Sequence, residues 1–161
     1  MTRTPVVIDR ARLEDVEAIA QLFLADMKEL GAPTELPALQ KLCADSVDSE
    51  SRGILFLAAR REAGEAPYGA LLACTKPALR FGGEALWVEE LYVDPHARMG
   101  GTGRQLVKSA IAWARERGLV GVDLEAYRMN TGASILYRSL GFDRLARERY
   151  GIALDDLERD A

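Results

Sequence analysis

The sequence contains few of the residues from which metal and disulfide sites are built. Among its 161 residues there are two cysteines, Cys43 and Cys74, and one histidine, His96. No Cys-x-x-Cys pair is present, and each cysteine lies among apolar residues, one in a predicted helix and the other in a predicted strand. This pattern is typical of buried, reduced thiols, so we expect no metal site.

Long apolar runs and an excess of positive charge are also missing. No run approaches the length of a transmembrane helix, and residues 1–12 lack the apolar core of a signal peptide, so we expect a cytoplasmic protein with no membrane partner. The net charge of −4 disfavours nucleic acid as a partner. A chain of 161 residues with 48% hydrophobic and 29% charged residues predicts one globular domain, over residues 1–161.

The most informative stretch lies between residues 84 and 118. Alternating apolar, β-prone residues up to Val93 predict a strand, which Asp94-Pro95 ends because proline has no N–H for the ladder. An amphipathic helix is then predicted to open at Thr102 and to end at Gly118. Its apolar face consists of Leu106, Val107, Ala110, Ile111 and Ala114.

Glycines at positions 100, 101 and 103 stand at the start of this helix. The first N–H groups of a helix have no partner inside it, and glycine lets the backbone approach a bulky anion, so the loop suits phosphate. A plain strand-to-helix turn explains the glycines equally well. Two familiar phosphate loops are excluded, because Arg104 stands where a Walker loop needs lysine and Leu106 where a dinucleotide fingerprint needs glycine.

The rest of the chain alternates between strand and helix patterns. Strands are predicted at residues 6–10, 54–60, 68–76, 120–126, 142–148 and 150–154, and helices at 13–30, 36–47 and 130–140. The second and third strands predict a hairpin, and the last two an edge hairpin. The strand–helix–strand unit around the central helix favours a parallel pair, and the whole order implies a mixed α/β sheet.

Two motifs in this order resemble the GCN5-related N-acetyltransferases. The acyl-CoA motif of that family is Arg/Gln-x-x-Gly-x-Gly/Ala after a strand ending in Leu-x-Val, and here it is Leu91-Tyr92-Val93 followed by Arg98-Met99-Gly100-Gly101-Thr102-Gly103. The second motif consists of Asn130, Ala133, Tyr137 and Gly141-Phe142. The resemblance covers most of the chain. It implies an α/β (α+β) fold with a mixed, mostly antiparallel sheet of about seven strands, a central splayed parallel pair and about four flanking helices.

The resemblance also implies acetyl-CoA as the acyl donor. Backbone N–H groups of residues 99–104 would hold the pyrophosphate, and the strand ending at Val93 would pair with the pantetheine arm. The donor-binding residues implied in this way are Leu91, Tyr92, Val93, Arg98, Met99, Gly100, Gly101, Thr102, Gly103, Arg104, Asn130, Ala133 and Tyr137. Tyr137 is the family position for protonating the departing thiolate, with a core tyrosine as the alternative. Asn130 has a helix N-cap as its alternative role.

An amine must lose a proton before it attacks, and Glu89 and Glu90 are the candidate bases. Adjacent residues of a strand point to opposite faces. Strict alternation would put Glu89 on the face of Leu91 and Val93, and Glu90 on that of Val88 and Tyr92. The sequence does not decide which face meets the acceptor, and our preference is Glu89. Glu125 and Tyr127 are further candidates.

The leading hypothesis is therefore an N-acetyltransferase that transfers acetyl from acetyl-CoA to a primary amine of a small molecule by direct attack. The pair of carboxylates suits a cationic amine. Two alternatives stay open: an acceptor amine on a protein or peptide, and a non-catalytic, regulatory module that binds acyl-CoA. A homodimer and an acyl group other than acetyl also stay open.

Overall fold

A computed structural model describes residues 5–154. Within that range there are four α-helices: α1 (Val16–Glu29), α2 (Leu36–Ser46), α3 (Thr102–Glu116) and α4 (Thr131–Ser139). There are five strands: β1 (Val7–Arg10), β2 (Ile54–Arg60), β3 (Gly69–Ala78), β4 (Gly83–Val93) and β5 (Gly121–Leu124). The predicted mixed α/β fold and its four helices are confirmed.

The strands form one sheet in chain order, β1-β2-β3-β4-β5. The first three pairings are antiparallel, and β4 pairs with β5 in parallel, from Ala85 opposite Gly121 to Val88 opposite Leu124. The predicted hairpin of β2 and β3 and the parallel pair around α3 are both confirmed. Helix α3 ends as predicted, because Gly118 has a φ of 69° and its N–H donates to Arg115 O.

The prediction of about seven strands is wrong for the described residues. Residues 142–148 and 150–154 were expected to form an edge hairpin, yet neither has a ladder partner within the described part of the chain. Leu145, Tyr150, Ile152 and Leu154 are all exposed. Strand propensity is decided largely by packing on a half-buried surface, and an isolated hairpin is only marginally stable in water. The alternation of apolar and polar residues was therefore insufficient to predict strands in this segment.

Each face of the sheet carries its own apolar layer. On one face, α1 and α2 pack through residues such as Ile19, Phe23 and Cys43 against Phe56 and Tyr92. On the other face, α3 packs on the strands through Leu106, Ala110 and Trp113. Both cysteines are free thiols, and burial raises the pKa of Cys43 to about 11. Below, the face of the sheet that packs on α1 and α2 is called the α1/α2 face, and the face that packs on α3 is called the α3 face.

A buried ion network joins the first two strands. Arg60 is 1% exposed, and its guanidinium forms two hydrogen bonds to the Asp15 carboxylate, at 3.0 and 2.8 Å. It also donates to Asp9 Oδ1 and to Glu65 O. A buried charge is costly unless it is paired, and here the guanidinium donates to two carboxylates and one backbone carbonyl.

The chain divides into two compact units, one up to Glu125 and the other from Ala126 onward. The first contains the whole sheet with α1, α2 and α3, and the second contains α4. The single domain over residues 1–161 stays a prediction. None of the helices in the described range is long and apolar enough to cross a bilayer.

Candidate active site

A β-bulge in β4 sets the directions of the two candidate bases. Ala73 of β3 lies opposite Val88, and the residue before it, Leu72, lies opposite Glu90. Glu89 is therefore an extra residue on β4. A bulge of this kind reverses the alternation of the side chains that follow it. Val88 packs on the α3 face, whereas Tyr92 packs on the α1/α2 face. The predicted grouping of Glu90 with Val88 on one face is therefore wrong, because it assumed a regular strand.

The bulge also marks the point where the parallel pair separates. The β4–β5 ladder ends at Val88 opposite Leu124, and among the described residues of the first unit no strand pairs with that edge of β4 beyond it. Asp94 N–H donates to Tyr68 O, on the β3 side. Because N–H direction alternates along a strand, the amides of Leu91 and Val93 are directed to the open edge. The edge of β4 beyond Val88 is therefore unpaired within the described first unit, and the splaying of the parallel pair stays a prediction.

Glu90 lies half-buried on the α1/α2 face, next to that open edge. Its Oε1 accepts a hydrogen bond of 3.0 Å from Leu91 N–H, and the carboxyl of Asp26 in α1 is close enough to act on its pKa. Burial, together with the negative charge of Asp26, raises the pKa of Glu90 to about 8. Burial and the charge of Glu29 also raise the pKa of Asp26. Glu90 therefore exchanges its proton close to neutral pH, which a general base requires.

Glu89 is in a different environment. Its side chain is exposed, and its Oε2 accepts a hydrogen bond of 2.8 Å from Trp87 Nε1. Solvent screens an exposed carboxylate, so it lacks the burial that tunes Glu90. The two glutamates therefore differ in burial and in hydrogen-bond partners, and which of them acts as the base stays a prediction.

The Gly-rich loop has the backbone of an anion-binding turn. Met99 and Gly101 both have positive φ, 68° and 85°, while Gly100 between them does not. Alternating handedness of this kind directs successive N–H groups toward one side. Helix α3 begins at the next residue, Thr102, so its first unpaired N–H groups and its dipole face the same region. The Met99 side chain is fully exposed and leaves the loop backbone accessible.

Arg98 points back to β4 and away from the loop that it opens. Its Nε donates to Val93 O at 2.9 Å, and its guanidinium lies 5.1 Å from the centre of the Tyr92 ring. The Tyr92 hydroxyl donates to Glu29 of α1 at 3.0 Å. Arg98 therefore connects β4 to the loop, whereas Gly103 and Arg104, half-buried in the first turn of α3, continue the loop into the helix.

Thr102 anchors the loop to the sheet. Its side chain is 3% exposed, and its Oγ1 lies 3.1 Å from the Tyr68 hydroxyl, just before β3. The hydroxyl of Thr102 is thus directed into the protein, and only its backbone N–H is available to a ligand. Tyr68 was not identified from the sequence, since nothing in the pattern relates residue 68 to residue 102.

Replacing Thr102 with valine keeps the shape of the side chain and removes this hydrogen bond. We expect the free energy of unfolding to fall by about 1 kcal/mol, and Tyr68→Phe to cost about the same. Because both variants delete the same hydrogen bond, the free energy of unfolding of the double variant should fall little more than that of either single variant. Urea denaturation of the four proteins measures this cycle, and strictly additive losses would contradict the anchoring contact.

The remaining donor-binding candidates lie in the second unit. Asn130 caps α4, with its Oδ1 accepting from Ala133 N–H at 3.0 Å, so its N-cap alternative is present. Tyr137 is half-buried on α4, and its ring meets that of Phe142 edge-on with centroids 5.9 Å apart. Asn130, at the N-cap, and Ala133 and Tyr137, within the helix, therefore belong to one short helix, as the spacing of the motif predicts.

Asp26 and Glu29 are residues that sequence reasoning missed. The helix over residues 13–30 is predicted from apolar spacing alone, in which Phe23 and Met27 share one face. Asp26 lies one turn after Phe23, at the border of that apolar face, and this position was the signal that could have identified it. No group of three or more His, Cys, Asp or Glu side chains within residues 5–154 is arranged to hold a metal ion.

Comparison with known proteins places this geometry in a family. The profile of the acetyltransferase (GNAT) family matches residues 16–142. An aminoglycoside N(6')-acetyltransferase type 1 from Klebsiella aerogenes is 33% identical over 69 residues, which cover 43% of this chain and 45% of that protein. An uncharacterized N-acetyltransferase from Methanocaldococcus jannaschii is 38% identical over 60 residues, covering 37% of this chain and 26% of that one.

The fold is shared with solved structures over nearly the whole chain. A possible acetyltransferase from Clostridium difficile 630 superposes with a TM-score of 0.76 at 20% identity, covering 93% of this chain and 98% of that one. At this identity the likeness shows the fold alone. The profile match spans most of the sequence, so the chain belongs to the acetyltransferase (GNAT) family. The family inferred from the two motifs is confirmed, and the predicted enzyme class agrees with both curated relatives, which are named N-acetyltransferases.

Proposed function

We propose that this protein transfers the acetyl group of acetyl-CoA to a primary amine of a small molecule by direct attack. The observation that carries the proposal is the open edge of β4, where the Leu91 amide, the anion-binding turn and the half-buried Glu90 lie within one compact unit. An extended chain can add to such an edge through backbone hydrogen bonds. The amides directed to this edge fit the amide-rich pantetheine arm, which would replace Glu90 Oε1 as the acceptor of Leu91 N–H.

The donor would be held at two points by backbone groups. Residues 99–104 offer N–H groups at the start of α3, suited to the negative charge of a pyrophosphate. Leu91 and Val93 offer the open edge of β4. A backbone N–H there would also stabilise the negative charge that develops on the thioester oxygen during attack.

Glu90 is assigned the role of general base. The ionised carboxylate would first take a proton from the ammonium group and pass it to solvent, which leaves a neutral nitrogen that can attack. It would then take the second proton as the nitrogen forms its bond to the acetyl carbon and the bond between that carbon and sulfur breaks. By its match to the second family motif, Tyr137 would donate a proton to the sulfur that leaves. The products are the N-acetylated amine and CoA, and solvent restores the protonation states of both side chains. Every electron pair is then accounted for without a covalent enzyme intermediate.

A cationic amine is the acceptor that the charges favour. Asp26, Glu29 and Glu90 are three acidic side chains on the α1/α2 face near the bulge. An opposite charge stabilises an ammonium group before deprotonation. A curated relative of this chain is named for its action on aminoglycosides, which are cationic amines, and this supports a small polyamine-like acceptor. An amine on a protein or peptide is the alternative.

The experiment that tests this function measures CoA thiol release from acetyl-CoA by the purified chain. The acceptors are a diamine, a polyamine, an aminoglycoside, an amino acid and a short peptide with a free N-terminus. We expect turnover above background with at least one small cationic amine. Tyr137→Phe should lower kcat while calorimetric affinity for acetyl-CoA stays within a few-fold, because only the proton donor is lost.

The other outcomes separate the alternatives. Turnover of the peptide alone would favour a protein acceptor. Calorimetric binding of acetyl-CoA with no turnover of any amine would favour the regulatory module. No binding of acetyl-CoA would overturn the proposed function.

A further inference from the structure

The bulge in β4 brings Trp87 onto the same face of the sheet as Glu90. Leu86 and Val88 pack on the α3 face, so Trp87 between them is directed to the α1/α2 face. In a regular strand, residues three positions apart point to opposite faces, but the extra residue Glu89 places Glu90 on the face of Trp87. The two side chains therefore share one surface, and their Cα atoms are at most about 10 Å apart, because a strand rises about 3.3 Å per residue.

The ring of Trp87 already carries a cation that belongs to the chain itself. Lys76 Nζ lies 4.3 Å from the centre of the ring, which is within the range of a cation–π contact. Lys76 is on β3, and its direct partner on β4 is Ala85, so its side chain reaches diagonally across the ladder to cover the ring. The contact shows that this face of the ring accepts an ammonium group.

A second contact holds the ring in place. Trp87 is half-buried, and its Nε1–H donates to Glu89 Oε2 at 2.8 Å, so the ring is oriented before any ligand binds. A glutamine oxygen accepts the same hydrogen bond, so the placement of the ring does not require the charge of Glu89. Lys76, by contrast, is exposed and flexible. Its ammonium can therefore leave the ring while the ring itself stays in position.

We propose that the face of the Trp87 ring covered by Lys76 is a subsite for a second ammonium group of the acceptor, and that Lys76 leaves it when the acceptor binds. This inference rests on the proposed function, and it narrows the acceptor to an amine with a further cationic group, such as a diamine or a polyamine. The reacting nitrogen would lie at Glu90 and the second nitrogen over Trp87. The strand spacing between these two residues then sets the length that the acceptor must span.

The charges beside the ring leave the ring face as the main contact for this second ammonium. Asp123 of β5 lies opposite Trp87, and its carboxylate is paired with Arg80 at 2.8 Å. Glu89 is exposed, so solvent screens much of its charge. A cation over the ring thus meets a weakly negative surrounding and one well-placed aromatic face.

Indole resonances measure occupation of the ring without any turnover. The chain has two tryptophans, so a 15N-labelled sample gives two Nε1–H signals, and the signal of Trp87 is the one lost in Trp87→Phe. Cadaverine and its matched monoamine, pentylamine, are titrated at equal ionic strength, with and without saturating CoA. We expect cadaverine to saturate the shift of the Trp87 signal at a concentration about 5-fold or more below that of pentylamine, because only the diamine places a cation over the ring while its other nitrogen lies at Glu90.

Lys76→Ala separates a subsite from an ordinary surface contact by the sign of its effect. Removal of the competing ammonium should tighten calorimetric binding of cadaverine and lower its KM by about 2- to 5-fold, the range that an exposed cation–π contact supplies. The matched control Lys108→Ala removes the same charge from an exposed position of α3, on the other face of the sheet, and should leave both values unchanged.

Trp87→Leu should have the opposite effect. We expect its KM for cadaverine to rise about 5-fold or more, while KM for pentylamine and for acetyl-CoA stays within about twofold. Trp87→Phe keeps an aromatic ring and should lie between the wild type and Trp87→Leu. The Nε1–H signal of Trp113, which is buried in the layer on the α3 face, reports whether each variant keeps its fold.

The failures are distinguishable. Unchanged or weaker binding of cadaverine in Lys76→Ala, or equal affinities of the wild type for cadaverine and pentylamine, would overturn the subsite even if the wild type is an active acetyltransferase. Tighter binding of cadaverine in Lys76→Ala by a chain that acetylates no amine would support the cation site and overturn the proposed function.

Discussion

Glu90→Gln is expected to lower kcat/KM for the acceptor amine by about 100- to 10,000-fold, the range over which a positioned general base contributes. The glutamine keeps the size of the side chain and can still accept from Leu91 N–H, but it cannot take a proton. In the wild type, kcat/KM should rise as the pH increases through about 8, since Glu90 accepts a proton only when ionised. Steady-state rates between pH 6 and 10 measure both effects.

Glu89→Gln is the matched control, because it makes the same chemical change on the adjacent, exposed residue. Its kcat/KM should stay within about threefold of the wild type, since surface substitutions have small effects. A large loss in Glu89→Gln with an active Glu90→Gln would restore the preference for Glu89 drawn from the sequence and refute the role of Glu90.

Unfolding measurements separate this loss from a loss of fold. The folded pKa of Glu90, about 8, lies above its ordinary value of 4.5, so the folded state binds more protons between these two pH values. The free energy of unfolding of the wild type therefore falls as the pH rises from about 4.5 to 8. Relative to Glu90→Gln, whose side chain does not titrate, it should fall by up to roughly 1.4 kcal/mol per pH unit. The variant should be folded wherever its activity is assayed.

The second large effect is expected at Arg60. Arg60→Met should lower the free energy of unfolding by about 3–5 kcal/mol, because it leaves the buried Asp15 carboxylate without its cationic partner. Asp15 is 3% exposed. Burial raises its pKa, but the hydrogen bonds from Arg60 and from Arg12 N–H outweigh burial, so the net effect is a lowered pKa. Guanidinium denaturation monitored by circular dichroism measures the loss.

Arg61→Met provides the control for that substitution. Arg61 is adjacent and exposed, so its replacement should change the free energy of unfolding by no more than about 0.5 kcal/mol. The lowered pKa of Asp15 means that its stabilising contribution is present above about pH 4 and is lost as the pH falls further. Equal losses in the two arginine variants would show that the buried pairing contributes nothing specific.

The local elements of this protein were largely determined by the sequence. Helix α3 begins at Thr102 and ends before Gly118 as predicted, because capping glycines and apolar spacing are read over a few neighbouring residues. The hairpin of β2 and β3 followed from two β-prone runs and a polar turn. The family followed from two motifs at fixed spacing, whose glycines and polar residues have local backbone roles.

The long-range features were decided by tertiary structure. The bulge at Glu89 depends on how β3 pairs with β4, and no residue of β4 alone signals it. That bulge places Glu90 on the face that packs on α1, where burial raises its pKa, whereas Glu89 stays exposed. The proposed role of Glu90 rests on this difference. Within residues 5–154, the alternating segment 142–154 has no ladder partner, and that too depends on strands distant in sequence. Strand pairing, burial and pKa depend on partners distant in sequence, whereas helix caps and Gly-rich turns depend on neighbours.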